Sequence, residues 1–234
     1  MNKILILGCS FSYGSYELIG GQEDKTSMYS WYNELDKSFD YDVYAHNGGG
    51  YLNYGILLDE FDLDQYSAII IQQTLDPRFW VDHAPKYQVK HKEDNITIHT
   101  TYPFVQLYRP YLFSDEVAFG DWKRVHDCEV TKEWQDFFEM FDTSQMIPVV
   151  NKAMYNFVDK KCEESGIPSF AFSLAKPNWK LPDHSYIKSL NTHGLQETIW
   201  GNEQYQTIAN KGHFNIEGNK LIGETVKKAL MNVS

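Results

Sequence analysis

Lys3-Ile4-Leu5-Ile6-Leu7-Gly8-Cys9-Ser10-Phe11-Ser12-Tyr13-Gly14 is the stretch on which the fold turns. Its first half is a short, branched, wholly apolar run that stops at Gly8. Such a run, closed by glycine, reads as a strand buried on both faces. A strand that passes at once into Gly-x-Ser delivers a serine to the carboxyl edge of a parallel sheet, where α/β folds build their sites. Ser10 is therefore a candidate nucleophile; the plainer reading of Gly8 to Gly14 is a polar turn.

Outward from this stretch, Tyr41 to His46 reads as a second strand ended by Asn47-Gly48-Gly49-Gly50, and Leu52 to Phe61 as a helix. Ser67 to Ile71 reads as a third, fully buried strand followed by Gln72-Gln73-Thr74. Residues 15–25 read as a loop, and Met28, Trp31, Tyr32 and Leu35 have the spacing of a helix reaching to about Phe39. The first 75 residues thus read as β-loop-α-β-loop-α-β, the start of a doubly wound parallel sheet. Helical spacing returns near Thr131 to Phe141 and more clearly from Met146 to Ser165, before a strand at Pro168 to Ser173. A last helix is expected from about Glu217 to Met231. The expectation is one three-layer α/β/α domain over residues 1–234. A lid or insertion falls at about 77–130, where Asn95 to Thr101 has the alternation of a strand or hairpin, and a loop-rich segment lies at about 175–205.

Composition narrows the function. The 234 residues carry 21 Lys and Arg against 32 Asp and Glu, a formal net charge of -11. An acidic chain without a basic patch is a poor partner for nucleic acid or an anionic membrane face. No segment has the length for a membrane span, and the N-terminal run is too short for a signal h-region. The expected location is the cytoplasm, with virion association or non-classical export left open. Cys9, Cys128 and Cys162 have neither disulfide nor zinc spacing, and His83, His91, His99 and His126 match no zinc signature, so no metal is expected. Aromatic residues make up 15% of the chain and crowd the 77–130 segment. They suit a sugar-stacking platform or the core of a small extra lobe equally well.

Gly8-Cys9-Ser10-Phe11-Ser12-Tyr13-Gly14 resembles the first sequence block of the SGNH (GDSL) hydrolase family, with Cys9 where the family has Asp. Asn47-Gly48-Gly49-Gly50, followed by Asn53, resembles the second block. Lys211-Gly212-His213-Phe214-Asn215, followed by Gly218-Asn219, resembles the last. The resemblance implies a flavodoxin-like α/β/α fold and a cofactor-free serine esterase or acetylesterase. Ser10 would be the nucleophile and His213 the base. The oxyanion donors would be the N–H of Ser10, that of Gly50 (Gly49 as the alternative), and a side chain from Thr74 or a neighbouring glutamine, Gln73 among them. Arg78 and Trp80 are candidate substrate contacts, although an ion pair explains Arg78 as well.

Two positions depart from the family. No Asn follows the third strand, where the family's third block supplies an oxyanion donor. Asn210 stands three residues before His213, where the family has an acid. In a serine protease triad that exchange costs about 10⁴ in turnover. A slow enzyme, a Ser-His dyad and an acid from elsewhere, such as Asp183, all remain open. The expected substrate is a small-molecule or glycan ester. The alternative is a catalytically impaired SGNH-like domain that binds carbohydrate or a partner protein. A nucleotide-binding reading finds no Gly-x-Gly-x-x-Gly cradle. Acyl and alcohol specificity and oligomeric state are not encoded in any recognisable motif.

Overall fold

A computed structural model describes residues 2–19, 22–45, 50–73, 78–80, 87–101, 106–108, 123–125, 146–174, 184–192, 194–206 and 213–233. In chain order the strands are β1 (Lys3–Gly8), β2 (Ser15–Ile19), β3 (Gln22–Ser27), β4 (Asp40–Ala45), β5 (Ala68–Gln73), β6 (Arg78–Trp80), β7 (Tyr87–Glu93), β8 (Ile96–Thr101), β9 (Gln106–Tyr108), β10 (Lys123–Val125), β11 (Ser169–Ser173) and β12 (Lys188–Ser189). The α-helices are α1 (Tyr51–Glu60), α2 (Met146–Ser165), α3 (Leu195–Ile199) and α4 (Ile216–Met231).

The main sheet has seven strands in the order β12-β11-β5-β1-β4-β8-β7. Five of its six parallel strands, β1, β4, β5, β11 and β12, lie in the order 2-1-3-4-5 by their sequence among themselves, the flavodoxin-like arrangement. Ile4 and Ile6 face one layer, with Trp31, Phe214, Ile222 and Val226. Leu5 and Leu7 face the other, with Tyr54, Leu57, Tyr155 and Val158 from α1 and α2. This two-sided burial is why β1 is an unbroken apolar run rather than an alternating one. The result is the expected three-layer α/β/α architecture, and β1 and β5 flank the switch point at which such sheets place their sites.

Two local expectations fail. Residues 15–19 and 22–27 pair as the antiparallel strands β2 and β3 rather than forming a loop. The helix expected to reach Phe39 is only a 3-10 turn, Trp31–Glu34. Its aromatics keep their burial, but a local cap and a tertiary bond replace helical ones. The Ser30 N–H donates to Asn33 Oδ1 at 2.8 Å, and the Trp31 N–H donates to Asn219 Oδ1 at 3.2 Å in α4. Leu35 then turns extended, at ψ 171°. In the loop-rich segment, Lys188–Ser189 adds a short edge strand and Leu195–Ile199 a short helix.

Within the 77–130 segment, β7 and β8 form an antiparallel hairpin, as the alternation at Asn95 to Thr101 foretold. β8 pairs parallel with β4, so this hairpin widens the main sheet. β6, β9 and β10 form a separate three-stranded sheet. The helix expected at 131–141 lies outside the described residues.

Candidate active site

Ser10 opens a 3-10 turn, Ser10–Ser12, directly after β1 and is half-buried. The turn is tight enough that a Cβ on Gly8 would fall 2.4 Å from the Ser12 side chain, which is why glycine ends the strand. Gln72 at the end of β5 braces it. Its Oε1 accepts the Cys9 N–H at 3.2 Å, the Cys9 thiol at 3.0 Å and the Ser12 hydroxyl at 3.4 Å. Ser12 also accepts from Trp31 Nε1 at 2.8 Å. The Gln72 amide nitrogen donates to the Gln73 carbonyl, so both ends of this side chain hold structure. Of the two glutamines read as oxyanion candidates, Gln72 is therefore committed. Gln73 is buried and pairs in register with Ser173.

His213 comes to the same edge from the other end of the chain. Asn215 caps α4 by accepting the Gly218 N–H at 2.9 Å. Asn219, fully buried, donates to the carbonyls of Phe214 (3.3 Å) and Asn215 (3.1 Å) and to the Ser15 hydroxyl (3.1 Å). One asparagine thus ties the His213 turn to the chain that leaves the Ser10 turn. The His213 ring lies 5.7 Å from the ring of Phe11, Ser10's neighbour, at 61°. Phe11 also meets Phe214 at 5.3 Å and Trp200 at 6.0 Å. The Trp200 indole N–H donates to the Leu174 carbonyl at 2.9 Å, which fixes this aromatic wall to the end of β11.

Gly50 is the N-cap of α1 and is buried. Its N–H donates to Asn53 Oδ1 at 3.1 Å. An oxyanion at this turn would compete with that side chain. Asn210, Thr74, Gly49 and Asp183 lie outside the described residues. The backbones of Arg78 and Trp80 pair in β6 with Tyr108 and Gln106.

One polar chain escaped the sequence reading. Asp159 of α2 accepts the backbone N–H groups of Ser185 (3.0 Å), Tyr186 (3.1 Å) and Ile187 (2.9 Å). Its Oδ1 also lies 3.4 Å from Nδ1 of His184, whose Nε2 meets the Tyr51 hydroxyl at 3.0 Å. Burial acts to raise the Asp159 pKa, but the Ile187 and Ser185 bonds outweigh it and hold it below the usual value. The available signal was a carboxylate on the apolar stripe of α2, among Tyr155, Val158 and Cys162. This Asp-His pair serves Tyr51, the first residue of α1.

A cavity of about 560 Å³ lies away from this edge, between the Trp31–Glu34 turn and the β7–β8 hairpin, with Tyr29, Tyr32, Tyr41, Glu93 and Asn95 in its wall. Among the described residues, no three His, Cys, Asp or Glu side chains gather as metal ligands would. No described helix is long and apolar enough to cross a membrane.

A solved structure with a similar fold is that of the lipase Lip_vut3 from a goat rumen metagenome. The match covers 98% of this chain and 97% of that one, with a TM-score of 0.51 and 11% identity. At that identity the likeness is one of fold. No family model matches the chain. No curated protein matches it either.

Proposed function

We propose that this chain is a serine-dependent carboxylic ester hydrolase of SGNH type. The observation that carries the reading is the Phe11–His213 ring contact, which sets a histidine against the Ser10 turn at the switch point of the sheet. That a chain of similar fold is named a lipase agrees with it. Ser10 Oγ attacks the ester carbonyl as His213 takes its proton. The Ser10 N–H and the first turn of α1 at Gly50 face the developing oxyanion, with Thr74 or Gln73 as the further donor. The protonated His213 releases the alcohol, and water then frees the acid from the acyl-serine. O-acetylated glycans suit the aromatic content, with Arg78 and Trp80 as the side chains to contact them.

A second reading, a binding domain of the same fold with impaired chemistry, is favoured by Asn210 in place of the acid and by the engagement of the Gly50 N–H. Hydrolysis of p-nitrophenyl acetate by the wild type and by Ser10→Ala separates the two. The esterase reading expects a wild-type rate above background that Ser10→Ala abolishes. A wild type at background supports the binding domain, and equal rates above background remove Ser10 from the chemistry.

A further inference from the structure

The cavity of about 560 Å³ between the Trp31–Glu34 turn and the β7–β8 hairpin lies at the amino edge of the sheet, opposite the Ser10 turn. Tyr41 and Ile96, paired in register near the starts of β4 and β8, belong to its wall. Ligand pockets typically run to about 300–1,000 Å³, so it has room for a small molecule. Hydrogen bonds between its walls hold it in shape. The Tyr41 N–H donates to the Asn95 carbonyl at 2.7 Å, Asn95 Nδ2 donates to the Phe39 carbonyl, and the Tyr41 hydroxyl donates to the Asp36 carbonyl at 2.8 Å. The wall is graded from apolar to charged. Leu35, Ile96 and Ile98 are buried, whereas Glu34 is half-buried and Glu93 and Asp94 are exposed. Three carboxylates stand there against one lysine, Lys37, while His91 lies 3.2 Å from Glu93. Tyr29 reports the sign of the local field. Burial, its bond to Glu34 and the charges of Glu34, Glu217 and Glu224 all raise its hydroxyl pKa. Lys220 offsets only Glu217, its partner at 2.8 Å.

We propose that this cavity binds an amphipathic organic cation, an alkyl or arylalkyl primary ammonium, with its head on Glu34 and its body against Met28, Tyr29 and Ile96. The Tyr29 hydroxyl donates to Glu34 Oε1, and among the described residues nothing bonds Oε2. That oxygen is the acceptor for the ammonium, and a charge-assisted bond at a half-buried carboxylate is stronger than one in water. Glu93 and Asp94, exposed at the mouth, attract the cation electrostatically. The same wall repels an anion, and a neutral molecule of like shape forgoes the ion pair. The site stands apart from the ester chemistry and does not depend on it.

Titration of the full chain, labelled with nitrogen-15, against phenethylammonium chloride, 2-phenylethanol and phenylacetate at neutral pH tests this through backbone amide shifts. The amine is expected to give saturable shifts at the Trp31–Glu34 turn and at the turn between β7 and β8. The alcohol should bind at least about tenfold more weakly, and phenylacetate not at all. Glu34→Gln keeps an oxygen for the Tyr29 hydroxyl, so the thermal midpoint should hold while affinity for the amine falls about tenfold. Lys37→Gln should bind the amine at least as tightly as the wild type, and Ser10→Ala should bind it equally. The ligand series on the wild type and the Lys37→Gln variant decide the matter even if Glu34→Gln misfolds. An alcohol that binds as tightly as the amine, a preference for phenylacetate, or weaker amine binding by Lys37→Gln would each overturn the proposal. So would unchanged affinity in folded Glu34→Gln, loss of binding in Ser10→Ala, or no saturable shift with the amine.

Discussion

The side-chain oxygen of Gln72 accepts the backbone N–H of Cys9 at 3.2 Å. One end of β5 thereby fixes the residue that precedes the candidate nucleophile. Replacing Gln72 by Leu leaves that buried N–H and the Ser12 hydroxyl without this acceptor. A loss of about 1–3 kcal/mol in unfolding free energy is expected. Urea denaturation measures it, and esterase activity of the folded fraction should fall as the Ser10 turn loosens.

Gly218 decides between two opposed effects. As a helical glycine, its change to Ala would by propensity stabilise by up to about 1 kcal/mol. A Cβ there, however, would lie 2.3 Å from the Tyr205 carbonyl oxygen, a backbone atom with little freedom to yield. The clash should win, so Gly218→Ala is expected to destabilise by about 1–3 kcal/mol. It should also shift the turn that carries His213. A raised thermal midpoint would contradict this.

Asp42 is the source of an acid sensitivity. It pairs with Lys3 at 2.5 Å, accepts from the Tyr66 hydroxyl at 2.9 Å and lies 3.5 Å from His99 Nε2. Burial acts to raise its pKa, but the His99, Lys3 and Tyr66 bonds prevail and bring it from 3.8 to about 2. A depressed folded pKa contributes stability that is complete above the unfolded value and is lost as pH falls through the folded one. The loss should therefore run from about pH 4 to about pH 2. Melting curves over that range should show a smaller drop for Asp42→Asn than for the wild type. Equal slopes would contradict the pairing.

Asp159 holds the segment Ser185 to Ile187 through backbone N–H groups, and its neighbour His184 holds Tyr51. Asp159→Ala strands those donors together. A cost of about 1–3 kcal/mol, toward the upper end, is expected for leaving such N–H donors without their charged acceptor. Tyr51→Phe removes one hydrogen bond and should cost about 1 kcal/mol. Equilibrium unfolding of both variants checks the ranking, and a costlier Tyr51→Phe would contradict it.

The layers of this fold were legible because their signals are local. β1, β5 and β11 read as strands from apolar runs, and α2 and α4 from three- and four-residue steps. The turn at Trp31 was misread because Met28, Trp31, Tyr32 and Leu35 have helical spacing while their partners are tertiary. Asn219 takes the Trp31 N–H, and Gly223 lets α4 approach so closely that a Cβ there would sit 2.2 Å from the Trp31 carbonyl oxygen. No window of sequence shows that contact. Lys188–Ser189 was unreadable because a strand of two residues is defined by its pairing with β11. At the site, Ser10, Gly50 and His213 stood out by their motifs. The brace at Gln72 did not, since it depends on where a side chain from β5 meets the turn after β1.

The central claim is that Ser10 is a nucleophile served by His213. A fluorophosphonate forms a covalent bond only with an activated hydroxyl, so intact mass followed by peptide mapping tests it directly. One adduct on Ser10, abolished in Ser10→Ala and strongly slowed in His213→Ala, is the predicted result. Wild-type protein that stays unlabelled, or label at the same rate in His213→Ala, would contradict it.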